Sequence, residues 1–354
     1  MVIKMRKIWK DNTKLIMAIF VTVVIASGAT YAATTMYDSN IVGYDNTTSG
    51  LNSNNVQDAL DEVYSAASNY SVYNTRLEDV EDLIRANAGF HNSIFRGEDI
   101  SKYMPSSIVN GGDGSIYDRI AGTNGYSLFQ DLYVGDYIIA DNVNATVNGI
   151  TWRIAGFDIY YMSGYPNVLA THHAVIVPDE MLGKAQMNSS ATTSGGYVGS
   201  YMYTTVLPNV LSTYITPVFS SHVLSYNALL TDSVNANATT NRLGGNGNGA
   251  ANGWSYQTNR KLDLMNEVQL TGNSSVSSSM YDTGIDNIQF PLFRLCPEFK
   301  IAYISTEHST STKDWYWLRS VAATSAFVTM YDYWYGVTQE ANNSGGIRPY
   351  FYIG

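Results

Sequence analysis

Apolar positions change their period several times along this chain. Over "NNVQDALDEVYSAA" they fall at Val56, Leu60, Val63 and Ala67, spacings of four and three that predict a helix with a heptad seam. Asn54 or Asn55 stands where a cap belongs, with Asp58 in the first turn. Tyr73, Leu77, Val80 and Ile84 repeat the spacing in a second register, and that seam ends where its next position falls on Asn87. From Phe95 the texture changes. "DLYVGDYIIA", "ATVNGITWRIAGFDIYY" and "HHAVIVP" are short runs rich in Val, Ile, Tyr and Trp between Gly, Asn and Asp. They predict strands, with a hairpin turn in "VNGITW". Helical spacing returns from "TVLPNVLSTYITPVFSS" to "HVLSYNALL", and "KLDLMNEVQL" has helical or buried spacing. Between them "NANATTNRLGGNGNGAANGWSYQTNR" predicts an exposed loop or insertion. "DWYWLRSVA", "AFVTMYDYWYGVT" and "GGIRPYFYI" close the chain as three strands. The fold class expected is α+β: an embellished antiparallel sheet at 93–354 behind a helical stalk at 34–92.

The first residues follow a different logic. Lys4, Arg6, Lys7, Lys10 and Lys14 precede the apolar run Leu15 to Ala29, and Thr30 and Ala32 offer small residues for cleavage. Leu15 to Ala33 is also long enough for an uncleaved anchor with its basic flank inside. Residues 1–33 are therefore expected to be a signal peptide or a membrane anchor, and export follows from either. Composition agrees with an exterior location. Charged residues make up 14% of the chain, against roughly 25% in typical soluble proteins, and Asn, Ser, Thr, Gly and 28 tyrosines replace them. A net charge of −10, with no basic cluster beyond the first fourteen residues, argues against nucleic acid as partner. The single Cys296 excludes an intrachain disulfide, and its apolar setting "FPLFRLCPEF" suits a buried thiol acting as a small hydrophobe.

Candidate chemistry is sparse. His172 and His173 are adjacent, so in a strand they point to opposite faces and do not share a metal; one buried and one exposed ring is expected. "NGGDGSIYD" around Asp113 lacks the alternating acidic ligands of a calcium loop and reads as a turn. No serine sits in a nucleophile elbow, and "GGNGNG" follows no strand. Asp136, Asp158, Glu267 and Asp314 lie in or near structured segments, but nothing selects one pair as acid and base. The sequons at Asn144, Asn188 and Asn342 arise by chance in an Asn- and Thr-rich chain. No catalytic residue, metal site or cofactor is predicted.

The tail is where composition departs from the rest. From Asp314 to Gly354 eleven of 41 residues are aromatic, twice the chain's 13%, and between Val321 and Ile347 the only charges are Asp332 and Glu340. Strict strand alternation breaks at Trp334 and Tyr335, so at least one ring of that run is expected to face solvent. Tyr and Trp among Asn, Ser and Gly is the composition of a binding paratope.

"WYWLRSVA", a gap, and "GGIRPYF" at the end resemble the C-terminal pattern of variable proteins of diversity-generating retroelements, which have a C-type-lectin-like fold. The resemblance covers roughly the last forty residues. It implies a stiff framework, carried here by Trp315, Trp317, Leu318, Arg319, Gly346, Arg348 and Pro349, around a changeable segment at 320–348. Adenine-directed change of Asn codons yields no Trp, Met, Gln or Glu, which assigns Met330, Trp334, Gln339 and Glu340 to the framework or to other codons. The ligand-binding positions it implies are Ala326, Val328, Tyr331, Asp332, Tyr333, Tyr335, Thr338, Asn342 and Asn343. Arg319 and Arg348, if buried, need carboxylate or carbonyl partners, and Pro349 suits a sheet edge or bulge. The expected protein is a non-enzymatic surface binder of a protein or glycan on another cell or phage, with a homo-oligomer through its stalk. A phage receptor-binding protein, an extracellular enzyme on a related lectin-like fold and a structural surface-layer or pilus subunit are the alternatives.

Overall fold

The computed structural model describes Gly43 and residues 52–68, 87–164, 167–235, 250–274, 276–277, 288–304, 312–331 and 336–354. The chain divides into two compact units, Met1–Val80 and Glu81–Gly354. In the first unit the expected helix is present at Val56–Ser68. Asn55 caps it: its side-chain oxygen accepts the Asp58 N–H at 2.9 Å. Of its seam, Leu60 is exposed while Val56 and Val63 are half-buried. The second seam, Tyr73 to Ile84, and the whole 1–33 segment lie outside the described residues. Among the described residues no helix is long and apolar enough to cross a membrane.

The second unit begins earlier than the stalk boundary at 92 expected from sequence. The short helix Ala88–His91 already belongs to it. His91 is buried with Nδ1 2.6 Å from the Leu132 carbonyl, and Asn92 exchanges two hydrogen bonds with the Phe157 backbone. Fifteen strands follow among the described residues. Along the chain they are β1 (Tyr137–Ile139), β2 (Thr151–Phe157), β3 (Ala174–Pro178), β4 (Glu180–Met181) and β5 (Lys184–Ala185). Next come β6 (Tyr226–Asn235), β7 (Ala250–Arg260), β8 (Leu262–Leu264) and β9 (Ala302–Ile304). The tail supplies β10 (Thr312–Asp314), β11 (Tyr316–Val321), β12 (Ala326–Met330), β13 (Gly336–Glu340), β14 (Gly345–Gly346) and β15 (Pro349–Ile353).

Two five-stranded sheets organise this unit. The first runs β1-β2-β3-β15-β8 and is antiparallel throughout. The second runs β13-β12-β11-β14-β5, antiparallel except where β14 lies parallel to β11. A three-stranded sheet, β10-β9-β4, and the β6–β7 ribbon are the other sheets among the described residues. The architecture is therefore α+β with mostly antiparallel sheets.

The final strand explains its own composition. Every residue of β15 is buried, so "PYFYI" packs on both faces. Phe351 meets Trp152 and Phe219 edge-on, while Tyr350 and Tyr352 meet Tyr226 on the other side. Pro349 is not at an edge. It opens an interior strand between β3 and β8, and the first residue of a strand is a place where a missing N–H is tolerated.

Other expectations need correcting. The run "SYNALL" is not helical: it forms β6, and its partner β7 comes from the second half of the Gly/Asn-rich stretch. Helix does fill Met202–Phe219, but Pro208 and Pro217 divide it into alternating α and π turns. "VNGITW" does not make a two-residue hairpin. Residues 140–150 connect β1 to β2, and Gly149, at φ +85°, donates back to the Ala140 carbonyl. "KLDLMNEVQL" splits into β8 and a helix at Glu267–Thr271. Asn266 and Gln269 close a capping box there, and Gly272 ends it at φ +86°. The three strands read in the tail are six short ones, because "AFVTMYDYWYGVT" folds back on itself as the β12–β13 hairpin.

Candidate functional site

The framework residues are built into the interior except for Trp315, which is half-buried against it. All six residues of β11 are buried. Trp317 donates its indole N–H to the Ala185 carbonyl at 2.8 Å, and Trp315 lies edge-on to it with centroids 5.0 Å apart. The Gly345-Gly346 pair is required by close approach. A Cβ on Gly345 would stand 2.0 Å from the Trp315 ring, and one on Gly346 would stand 2.1 Å from Met181 Sδ.

Arg319 and Arg348 are fully buried and, as expected, lean on carbonyl oxygens. Arg319 Nη1 donates to Leu264 O at 2.7 Å and reaches the Tyr350 hydroxyl at 3.2 Å. Arg348 Nε donates to Pro178 O at 2.8 Å and its Nη1 to Phe299 O at 2.7 Å; Nη1 also lies 3.3 Å from the Tyr316 hydroxyl. The two also bridge their own strands, since Arg319 on β11 reaches Tyr350 of β15 and Arg348, just before β15, reaches Tyr316 of β11. They fasten the second sheet to the first, through β8, β15 and the end of β3. Burial pushes the Tyr316 phenol above its ordinary range although Arg348 opposes this, and Tyr316 donates to Lys300 O at 2.5 Å.

The tail positions divide sharply. Val328 is fully buried and Ala326 is 8% exposed, so neither side chain is offered to a ligand, contrary to the sequence expectation. The cause is topological: β12 is an interior strand and all five of its residues are covered. Tyr331, at the start of the hairpin tip, is 36% exposed. Asp332, Tyr333 and Tyr335, with Trp334, lie outside the described residues. Thr338 is half-buried on β13, the edge strand of its sheet; Asn342 and Asn343 are half-buried in the turn that follows. Met330, assigned to the framework or to other codons, is fully buried. Gln339, assigned likewise, accepts from the Asn343 side chain at 2.9 Å.

A second segment joins this surface. The Gln186 amide donates to the Asn342 carbonyl, and the Asn188 N–H donates to Ala341 O at 2.9 Å. Asn188 also binds at both ends of its side chain, donating to Thr192 O and accepting from the Tyr201 N–H at 2.9 Å. Tyr201 is 49% exposed. Sequence reasoning missed Gln186 and Tyr201 and dismissed Asn188 as a chance sequon; the one local signal was the Asn- and Ser-rich word "QMNSSATTSGG". Beneath the hairpin, buried Glu267 accepts the N–H groups of Val276 and Ser277 at 2.9 Å each, and its carboxylate lies close to Gly336. The described face thus consists of rings and amides with Glu340 as its only charge. Such a surface makes contact area and adaptable hydrogen bonds, and it carries no nucleophile with an attendant base.

The other candidate groups are dispersed. Asp136 pairs with Arg96, Asp158 with His172 at 2.7 Å, and Asp314 with Lys184. His173 is fully buried and His172 half-exposed, as their adjacency predicts. Asp113 caps a turn by accepting the Ser115 N–H. Among the described residues no group of three His, Cys, Asp or Glu is placed to hold a metal ion. A cavity of about 280 Å³ is lined by Asp179, Glu180, Glu298, Phe299, Ile301 and Tyr303, none of them from the tail. Arg153 grips Asp179 with two nitrogens, while burial pushes the Glu180 carboxyl upward. Cys296 is only half-buried, and burial together with Glu298 raises its thiol, which keeps it protonated. Compared with known proteins, the chain matches no family model, no curated protein and no solved structure.

Proposed function

We propose that this chain is an exported surface protein that binds a protein or glycan through its carboxyl-terminal face, and that the face is of the diversified kind its sequence resembles. Residues 1–33 direct export and tether or release the chain; the stalk at its amino end carries the binding unit and its oligomer. A lectin-like scaffold is part of this reading. The observation that carries it is a division of labour along forty residues. Trp317, Leu318, Arg319, Gly346, Arg348 and Pro349 are all buried, whereas Tyr331, Thr338, Asn342 and Asn343 between them keep access to solvent. A site that tolerates rewriting needs that arrangement, since substitutions at exposed positions away from special contacts usually cost little. Buried β12 refines the reading: Ala326 and Val328 are framework.

The test is sequencing of the locus across many cells of one strain. Substitutions confined to Tyr331 through Asn343, traceable to adenines in a nearby template copy, with Ala326 and Val328 constant, are expected. A tail as constant as the rest of the gene refutes the diversified reading.

One observation favours a second reading, that of an extracellular hydrolase. The cavity beside Asp179 and Glu180 brings together a carboxylate held by Arg153 and a carboxyl pushed upward by burial, a combination that suits base and acid roles. Turnover of a panel of glycosides and esters that Glu180→Gln abolishes would favour it; no turnover retires it.

A further inference from the structure

The outer edge of β13 has a chemistry separate from its side chains. Ala341 donates its N–H to Ser325 O at 2.8 Å, one residue beyond the Ala326↔Glu340 pair. In an antiparallel ladder bonded and non-bonded pairs alternate, so Val337 and Gln339 turn their main-chain groups toward β12. The Thr329 hydroxyl on the Val337 carbonyl, at 3.2 Å, agrees with that phase. Gly336, Thr338 and Glu340 therefore turn theirs away from the sheet. Gly336 is covered, close to Val276 and Glu267. Thr338 is half-buried and Glu340 is exposed. Among the described residues no strand pairs with this edge, and the Glu340 carbonyl accepts only the Asn343 N–H.

Edges are usually protected by lysine, proline or a bulge. "GVTQE" contains neither residue, and its pairing with β12 runs without a register shift over five positions. The exposed edge is continuous with Tyr331, Asn342 and Asn343, the face assigned to recognition.

We propose that this edge receives an extended segment of a protein ligand as an added antiparallel strand, held by the main-chain groups of Thr338 and Glu340. The inference rests on the binding role given to this face and selects protein over glycan as its ligand, because only a polypeptide supplies alternating N–H and C=O groups at strand spacing. It also explains how a site with changing side chains keeps a baseline affinity. Main-chain hydrogen bonds do not depend on which residue stands at position 338. The neighbouring rings and amides then choose among strands, and with Asp332 and Glu340 as the two charges between Val321 and Ile347 the favoured segment is neutral or mildly basic.

The test uses the full chain and a library of random linear twelve-residue peptides displayed on yeast. Selected binders are resynthesised with single N-methyl groups along the backbone. Binding is expected to fall at least tenfold for methylation at every second residue and to stay level at the residues between. On the protein, the amides of Thr338 and Glu340 gain hydrogen-exchange protection, while those of Val337 and Gln339, already bonded to β12, do not change. Thr338→Pro, which removes an outward N–H and leaves the β12 ladder intact, abolishes binding; Thr338→Val keeps it. Failure to select any peptide, indifference to N-methylation, or uniform protection along β13 overturns the proposal. So does a concentration-dependent dimer in sedimentation that Thr338→Pro dissolves, since a second copy would then own the edge. None of these results touches the sequencing of the locus, so the two readings fail separately.

Discussion

Gly345 offers the sharpest test of how the framework holds the tail. A methyl group there would lie 2.0, 2.5 and 2.7 Å from three atoms of the Trp315 ring, distances that real Cβ atoms essentially never show. Gly345 has no left-handed backbone, so Gly345→Ala adds bulk without backbone strain. The ring must move. Overpacking of this kind costs about 1–3 kcal/mol, and losing the edge-on contact with Trp317 adds about 0.5–1.5 kcal/mol. Reduced freedom of the unfolded chain returns about 0.4–1 kcal/mol, which leaves a net loss of about 0.5–4 kcal/mol. Urea unfolding followed by far-UV circular dichroism measures it. The decisive comparison is the same substitution in a Trp315→Leu background, where there is no ring to displace. There the cost falls below about 0.5 kcal/mol, and the coupling between the two positions gives the clash directly. Equal costs in the two backgrounds would refute the steric account, and a Gly345→Ala cost below about 0.5 kcal/mol in the native background would refute it outright.

Two further outcomes follow from buried polar groups. Asp263 is fully buried and accepts from Tyr226 at 2.6 Å, Tyr197 at 3.1 Å and Arg260 at 2.8 Å. Asp263→Asn leaves Arg260 without its counter-charge and is expected to cost about 3–5 kcal/mol in urea unfolding; a cost under about 1 kcal/mol would mean the network is not what joins β7 to β8. His173 is fully buried, and burial pushes it below the ordinary imidazole range, although the Thr171 and Ile159 carbonyls and Asp158 favour its cation. The unfolded chain then binds the extra proton first, so stability falls as pH drops through about 6.5, the unfolded value. His173→Asn flattens that slope when melting temperatures are compared between about pH 7.5 and 5.5. Asp136 and Glu180, whose carboxyls are raised by burial, act in the opposite direction in both proteins and cancel. Parallel slopes would assign the proton elsewhere.

What could be read from the chain follows the range of the interactions involved. The Asn55 cap, the split fates of His172 and His173 and the turn at Asp113 rest on residues a few positions apart, and each is where local chemistry puts it. The demand that Arg319 and Arg348 find carbonyl partners was equally legible, because burial without such partners is costly; which carbonyls was not. Leu264, Pro178 and Phe299 lie 55, 170 and 49 residues away from the arginines they serve. β6 was misread because "NALL" carries no decisive period and its partner strand lies in a stretch that looked like loop. Ala326 and Val328 were misassigned for a related reason. Alternation predicts one covered face per strand, whereas an interior strand of a packed sheet has two, and only topology reveals which strands are interior. Gln186 and Tyr201 had no signal beyond the Asn- and Ser-rich word that begins at Gln186, since their role is created by folding.

That last contact has an evolutionary consequence. The surface around the tail is assembled from two stretches of coding sequence about 150 codons apart, joined where Gln186 and Asn188 meet Asn342 and Ala341. Mutagenesis that reaches only the far end of a gene would leave Gln186, Asn188 and Tyr201 the same in every descendant. Each variant would then inherit one fixed flank and one novel flank. Such a repertoire explores the neighbourhood of a shared docking orientation, so its targets should differ in detail while presenting Tyr201 with a common feature.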